Sequence, residues 1–522
     1  MTSPTAPATP ADRPDEMRAL ARGGALNLVG AGISGLANLG LTVIVARVFT
    51  RHDAGVFFSA TSLFLILLVA AGLGTNTGLV YFIARFRALG RPERIPGTLR
   101  QAFVPLLVTS LVLAGLLAAF AGPLAGWLLA GDGTTGARDL RVLAAFLPFA
   151  TVLNACLAGT QGFKMMRATV LVEKLGRPVL QLLLVIASGL FGAGAILLPL
   201  AWAGPYLPAA IAAAVWMSLL TLRATRGPRT DPEPPADAAA TAEATAGFWR
   251  FTGPRALAGV AQIAIQRLDI VLVSALRGPI EAAVYTAATR FLVVGQLAAQ
   301  ALNQAVQPRL SELLARGDTD GAADVYQTST AWLVVLTWPL YLLAASFSEF
   351  VMAIFGKGYD AGASVMIILS LTMLVATACG MVDIVLTMAG KTTWNLYNYL
   401  AALVVNVVVN LIAIPPLGIL GAAIGWAVAL LVKNLLPLTQ IWVTLRLHPF
   451  SRASVTACGL AVVSFGVLPL AVRLVFGGGA LPLAAAAVAG LCVYIAGLWR
   501  ARYLLRLDTM PILGPIIRVR GG

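Results

Sequence analysis

From residue 25 onward the chain is a succession of long apolar runs with short polar punctuation. Fourteen blocks lie at approximately 25–46, 56–84, 102–121, 143–162, 179–195, 197–222, 252–276, 282–306, 328–347, 363–387, 396–412, 420–445, 453–472 and 480–499. A helix needs about 20 apolar residues to cross the hydrocarbon layer of a bilayer, and most of these runs approach or exceed that. The pattern predicts an all-α integral membrane protein with about 14 transmembrane helices. The fifth and sixth blocks almost merge around Gly192 and Gly194, so the boundary between them is the least sharply marked.

The polar stretches supply the organisation. Residues 1–24 are rich in Pro, Thr and Ala and carry both charge signs. They read as a disordered tail ahead of a first block too long for a cleavable signal. Residues 223–250 are rich in Pro, Ala, Thr and acidic residues and lack a helical apolar period, which predicts a disordered tether. The tether separates a first lobe at 25–222 from a second at 251–446. Two further helices at 447–500 and a tail at 501–522 follow. Shifted by 228 residues, Val45, Val56, Ala60 and Thr61 fall on Val273, Val284, Ala288 and Thr289, and Gly162 falls on Gly390. Two six-helix lobes in parallel pseudo-repeat would share an axis along the membrane normal, with a substrate site between them.

Charge tests the count. With the N-terminus placed in the cytoplasm, 27 of the 37 basic residues fall in cytoplasmic segments, 7 in external loops, and Arg267, Arg290 and Lys433 within helices. A missed or extra helix would scramble this positive-inside bias. Both termini are therefore expected in the cytoplasm.

Composition excludes other classes. Of 522 residues, 59% are hydrophobic and 11% charged, whereas a soluble chain is about 25% charged. A soluble enzyme, a disordered chain and a disulfide scaffold are ruled out. The net charge of +15 does not mark a nucleic-acid binder, because the cations sit in short loops between apolar blocks. Cys156, Cys379, Cys458 and Cys492 lie inside apolar runs without metal-ligand spacing and read as small buried hydrophobes.

Three motifs lack their context. Gly30-Ala-Gly32-Ile-Ser-Gly35 matches a dinucleotide fingerprint, with Asp53 further on, but no βαβ unit surrounds it. Small residues in a membrane helix serve close packing instead. Asp318-Thr-Asp320 resembles a glycosyltransferase DxD on a loop too short to hold a nucleotide, and reads as a solvated turn. His52 and Asp53 lie on a short external loop, which holds no catalytic constellation.

The informative residues are polar ones at helical spacing. In the seventh block Arg255, Gly259, Gln262, Gln266 and Asp269 form one face. The eighth block carries Tyr285, Thr289, Gln296, Gln300, Asn303 and Gln307, the first Asn27, Ser34, Asn38 and Thr42, and the second Ser59, Ser62 and Asn76. Such faces line a cavity or a helix seam, since polar groups do not face lipid cheaply. Arg290 lies near mid-block, Arg267 two residues from Asp269, Lys433 in the twelfth block and Asp383 near the end of the tenth. Each is a functional candidate, the alternative being a structural salt bridge of Asp269 with Arg267 or Arg290. Three cations against two carboxylates favour an anionic ligand, and a guanidinium matches phosphate bidentately. In the first cytoplasmic loop Arg85 and Arg87, with Arg91, Arg94 and Arg100, could draw anionic headgroups while also obeying the positive-inside rule.

Several stretches carry a resemblance. They are Val45-Ala-Arg47 with Asp53-Ala-Gly55-Val56-Phe57, Arg267-Leu-Asp269 with Glu281-Ala-Ala-Val-Tyr285, Gln307-Pro308-Arg309-Leu310, and Pro415 through Ala423. Over residues 22–500 the chain resembles the Wzx-type polysaccharide flippases of the multidrug/oligosaccharidyl-lipid/polysaccharide exporter superfamily. The resemblance implies two lobes in a V and a cavity lined by the first, second, seventh and eighth helices. It implies a non-enzymatic, alternating-access flippase for a polyprenyl-diphosphate-linked oligosaccharide in the bacterial cytoplasmic membrane. A lipid II-type flippase and a multidrug or cation antiporter are the alternatives within the superfamily, and a membrane polymerase or glycosyltransferase the alternative outside it. The first block lacks the acidic residue that many drug exporters use for ion coupling.

On this reading Arg290 and Arg267 hold the diphosphate. Gln262, Gln266, Gln296, Gln300, Asn303, Asn27 and Asn38 meet sugar hydroxyls. Asp269 or Asp383 takes up H⁺ or Na⁺, and Arg85 and Arg87 capture the headgroup. No cofactor is expected. Partners are membrane lipids, the lipid-linked glycan, and a polysaccharide polymerase or glycosyltransferases.

Overall fold

The computed structural model describes residues 13–128, 133–190, 196–226 and 238–508, with side chains described except at 13–29, 133, 238–246 and 293–294. Among the described residues the fold is entirely helical, and thirteen helices are long and apolar enough to cross a membrane.

The first half opens with α1 (Arg13–Val48). The second crossing is split into α2 (Arg51–Ala71) and α3 (Thr75–Ala88) by a turn with positive φ at Leu73 and Gly74. Then come α4 (Ile95–Ala119), the short α5 (Ala121–Leu128), α6 (Gly133–Gly162) and α7 (Met166–Ala168). A π-helical segment (Thr169–Gly176) leads into α8 (Arg177–Leu190), followed by α9 (Leu198–Ala203) and α10 (Tyr206–Thr225). The second half comprises α11 (Ala238–Arg277), α12 (Pro279–Ala315), α13 (Thr319–Ser346), α14 (Ser348–Ala353), α15 (Ala363–Ala378), α16 (Val382–Met388), α17 (Thr392–Leu417) and α18 (Ile419–Leu445). A final pair is formed by α19 (Arg452–Ala461) with α20 (Leu468–Phe476), and by α21 (Ala480–Arg500).

Helix ends repeat between the halves. Val48 and Arg277 close the first crossing of each, Arg51 and Pro279 open the second, and Gly162 and Met388 close the fourth. Exposure follows a membrane logic. In α4 the apolar Val104, Val108, Leu111 and Val112 are exposed while Ala102, Leu106 and Ser110 are buried. That apolar outer stripe suits contact with hydrocarbon.

Three expectations change. The tether placed at 223–250 is shorter, because α10 runs to Thr225 and α11 begins at Ala238. The Ala-rich run from 238 has high helix propensity, and Phe248 beyond it is 1% exposed. The tail placed at 1–24 is likewise helical from Arg13, and residues 1–12 lie outside the described residues. Of the tail from 501, the first eight residues dock on the second half, with Leu505 and Leu507 buried and Trp332 Nε1 donating to the Leu505 carbonyl at 2.9 Å.

The chain alternates between two faces. The one that carries the α3–α4, α7 and α16–α17 loops is called the basic face here, after Arg85, Arg87, Lys164, Arg167 and Lys391. At the opposite face the halves are closed against each other. Arg47 Nε donates to the Ile354 carbonyl at 2.6 Å, and Arg51 Nη1 to the Gly358 carbonyl at 3.1 Å. Gly55 there sits so close to α12 that a Cβ would lie 1.8 Å from the Pro279 carbonyl oxygen. Between the faces, a Cβ on Gly35 would meet Leu297 at 2.9 Å, and one on Gly30 would meet Val170 at 2.8 Å. Gly30 and Gly35 of the dinucleotide-like motif therefore serve helix packing, whereas Gly32 faces open space. Asp53 lies in the first turn of α2, where Thr50 caps the helix by accepting from the Asp53 backbone N–H at 3.1 Å and donates its hydroxyl to Asp53 Oδ2 at 2.6 Å. Asp318 caps α13 by accepting from Gly321 N at 2.8 Å.

Candidate functional site

Two features inside the helical body carry chemistry. The first is a charge cluster on α11 and α12. Asp269, 1% exposed, accepts hydrogen bonds from Tyr285 Oη and from the Ile270 backbone N–H, the latter at 3.1 Å. Tyr285 is fully buried. The pairing follows from sequence spacing, since α11 ends and α12 begins within two residues, which folds Asp269 and Tyr285 back onto each other. Arg267 and Arg290 are half-buried and close enough to feel each other's charge and that of Asp269. Asp269 nonetheless takes its hydrogen bonds elsewhere. Among the described residues neither arginine forms an ion pair. The salt bridge expected as the structural alternative is absent. Arg290 has a single long hydrogen bond, Nε to the Thr286 carbonyl at 3.4 Å.

Removing the Tyr285 hydroxyl should therefore be felt by Asp269. Leaving a buried ionisable acceptor short of a donor costs about 1–3 kcal/mol, more for a charged group. Tyr285→Phe is expected to lower the melting temperature of the purified protein, and Asp269→Asn to lower it less. Equal melting of wild type and Tyr285→Phe would mean the bond adds nothing.

The second feature is an open-sided cavity of about 750 Å³ in the basic-face half, lined by α3, α6, the π-helical segment and Phe251 of α11. Asn76, Thr77, Asn154, Gln161, Thr169, Arg85 and Glu173 are its polar lining. Tyr81 of α3 stacks on Phe251 of α11 at its wall, with ring centroids 4.4 Å apart. Glu173 is held by Arg177, one turn on, through Arg177 Nε at 3.0 Å and a second, shorter contact. Arg177 also reaches Tyr206 Oη at 3.4 Å and lies over its ring.

The remaining residues of the expected site spread around this core. Gln262, Gln266, Gln300 and Asn38 are exposed, while Gln296 and Asn303 are half-buried. Asn38 bonds back to the Ser34 carbonyl at 2.8 Å. Asn27 lies outside the described side chains. Arg85 lines the cavity, whereas Arg87 lies over the Phe163 ring at 5.4 Å. Asp383 is remote from the arginines. It pairs with Lys433 Nζ at 3.5 Å and accepts from Tyr399 Oη at 2.9 Å. Further along α17, Asn406 and Asn410 are fully buried, and among the described residues their side-chain amides have no hydrogen-bond partner. Of the cysteines, Cys156 and Cys379 are buried as expected, Cys458 is half-buried, and Cys492 is exposed on the outer surface of α21.

Glu173, Arg177, Asn154 and Gln161 do not figure among the residues expected from the sequence. Glu173 and Arg177 stand at i, i+4, a spacing that pairs opposite charges along a helix. Asn154 and Gln161 stand seven apart on one face of α6.

The architecture is that of the two-lobed transporters of the multidrug/oligosaccharidyl-lipid/polysaccharide exporter superfamily. The lipid II flippase MurJ in an inward closed conformation superposes with a TM-score of 0.70 at 12% identity, over 91% of this chain and 99% of that one. An inward-facing multidrug resistance MATE transporter gives 0.63 at 17% identity, over 79% and 94%. A superfamily transporter from Pyrococcus furiosus, described as having a binding pocket of reverse polarity, gives 0.53 at 18% identity, over 81% and 95%. The MatE family model matches residues 254–412, and the model described as polysaccharide biosynthesis protein matches residues 20–314. The chain belongs to the polysaccharide biosynthesis protein family. No curated protein matches it.

Proposed function

We propose that the protein flips a polyprenyl-diphosphate-linked oligosaccharide across the bacterial cytoplasmic membrane by alternating access, with the basic face and both termini in the cytoplasm. The observation that carries this reading is the pair Arg267 and Arg290, two cations held inside the helical body without an ion-pair partner among the described residues. Asp269 offsets part of their charge without pairing with either, and two cations against one carboxylate are reason to assign them a ligand that supplies the rest. A diphosphate does so with bidentate geometry. Closure at the opposite face and a cavity at the basic face fit a state that accepts cargo from the cytoplasmic leaflet.

The amides of α11 and α12 line the passage, and Arg85 meets the headgroup at the mouth. Of the two carboxylates, Asp383 is assigned to H⁺ or Na⁺ coupling. It is partly exposed and paired with a lysine, whereas Asp269 is sealed beneath Tyr285. The cargo then passes to a polysaccharide polymerase or glycosyltransferases. A lipid II-type precursor is the second reading, because it offers the arginines the same diphosphate and is the cargo named for MurJ.

The test is reconstitution in proteoliposomes with a fluorescent polyprenyl-diphosphate oligosaccharide, exposure being read with an impermeant quencher. A lipid II analogue and a cationic dye serve as the other cargoes. Lipid flipping without dye transport is expected, with its dependence on an ion gradient lost in Asp383→Asn. Dye transport without lipid flipping would sink the proposal, and gradient dependence unchanged in Asp383→Asn would exclude that residue.

A further inference from the structure

We propose that the cavity between α3, α6, the π-helical segment and α11 is a saccharide subsite that seats a neutral sugar ring of the lipid-linked glycan. This rests on the reading above and moves glycan recognition from the α11 and α12 amides into the first half. The volume of about 750 Å³ suits one or two sugar rings, since small-molecule sites run from about 300 to 1,000 Å³.

The lining has the matching chemistry. Asn76, Asn154 and Gln161 carry amides that both donate and accept, as sugar hydroxyls do, whereas a phosphate only accepts. Asn76 and Asn154 make no side-chain hydrogen bond within the protein among the described residues, so their capacity is free for a ligand. Gln161 Nε2 donates to Thr169 Oγ1 at 3.1 Å, leaving its carbonyl oxygen as an acceptor. Tyr81, 43% exposed and stacked on Phe251, offers an aromatic surface with a hydroxyl at its edge.

Glu173 adds an acceptor. Arg177 engages both of its carboxylate oxygens, which offsets the charge and fixes the group in the cavity wall. A carboxylate held in this way still accepts from a sugar hydroxyl. Arg177 ties the cavity wall to Tyr206, whose Oη it reaches at 3.4 Å.

Binding to the purified full chain tests this with two probes: bare polyprenyl diphosphate, and the same lipid carrying a neutral hexose disaccharide. Wild type is expected to bind the glycosylated lipid about tenfold more tightly, the worth of one or two hydrogen bonds. The double variant Asn154→Leu/Gln161→Leu should lose that increment and keep its affinity for the bare lipid, which also reports that it folds. Should the double variant bind neither, the exposed Tyr81→Ala takes its place, with the same result expected. An increment that survives these changes, or wild type that binds both lipids equally, overturns the subsite and leaves the flippase reading standing. Wild type that binds neither lipid overturns both.

Discussion

Arg290→Ala is expected to abolish flipping of the lipid-linked oligosaccharide while the amount of folded protein stays at the wild-type level. The geometry separates the two effects. Arg290 makes one long hydrogen bond to a backbone carbonyl and no ion pair among the described residues, so little of the fold depends on it. On the proposed reading, however, Arg290 is half of an arginine pair that holds a diphosphate, and its removal leaves a doubly charged group short of its counter-charge. Truncating one partner of such a pair costs about 2–5 kcal/mol, or at least roughly 30-fold in affinity. Arg290→Lys should fall between, because it keeps the charge and loses the planar fork. The proteoliposome assay decides: flipping by Arg290→Ala at the wild-type rate would make Arg290 structural and dissolve the proposed diphosphate site.

Gly55→Ala is expected to cripple transport by a different route. At Gly55 the added Cβ meets the backbone of Pro279 rather than a side chain that could turn aside. The halves must separate locally, and overpacking of this kind costs about 1–3 kcal/mol. In a two-state transporter that becomes a roughly 5- to 150-fold shift away from the conformer closed at this face. The Arg47 and Arg51 bonds to Ile354 and Gly358 lie beside it and should loosen together with it. Hydrogen exchange should therefore rise in peptides covering residues 45–60 and 350–360, with helix content unchanged and flipping reduced. Wild-type protection in both peptides would show that the interface absorbs a methyl group.

The helices were legible in the sequence because a membrane span is a local object. Each must satisfy its own backbone groups within one apolar run, so position and length are written along the chain. The fifth crossing strained that rule. Glu173, Lys174 and Arg177 make its first turns look like a loop, yet they are helical, and Glu173 and Arg177 neutralise each other. The tether failed for a related reason, because composition alone does not register the helix propensity of an alanine run. Arg267 and Arg290 were legible as cations in apolar surroundings. Their lack of ion pairs, the bond from Tyr285 to Asp269, and the meeting of Asp383 with Lys433 were not, since these are set by how helices pack. The cavity is the extreme case. Its walls come from four separate elements, and of its amides only Asn76 stands out on its own helix.

Helix α11 crosses the boundary between the halves. Its first turns belong by contact to the first half: Gly74 and Gly78 of α3 leave no room for a Cβ against Thr252 and Phe248, and Tyr81 stacks on Phe251. The helix also packs against α2 of the first half and against α12 and α17 of the second. The covalent junction between the halves and their mechanical junction are thus different places. Any rocking of one half on the other would load α11 as a beam clamped at both ends. Pro254, which interrupts its hydrogen-bond ladder, marks where that beam is most easily flexed. Torque from the second half would then reach the wall of the cavity through the Tyr81–Phe251 stack, so that a ligand seated beneath the stack stiffens the joint on which the rotation turns.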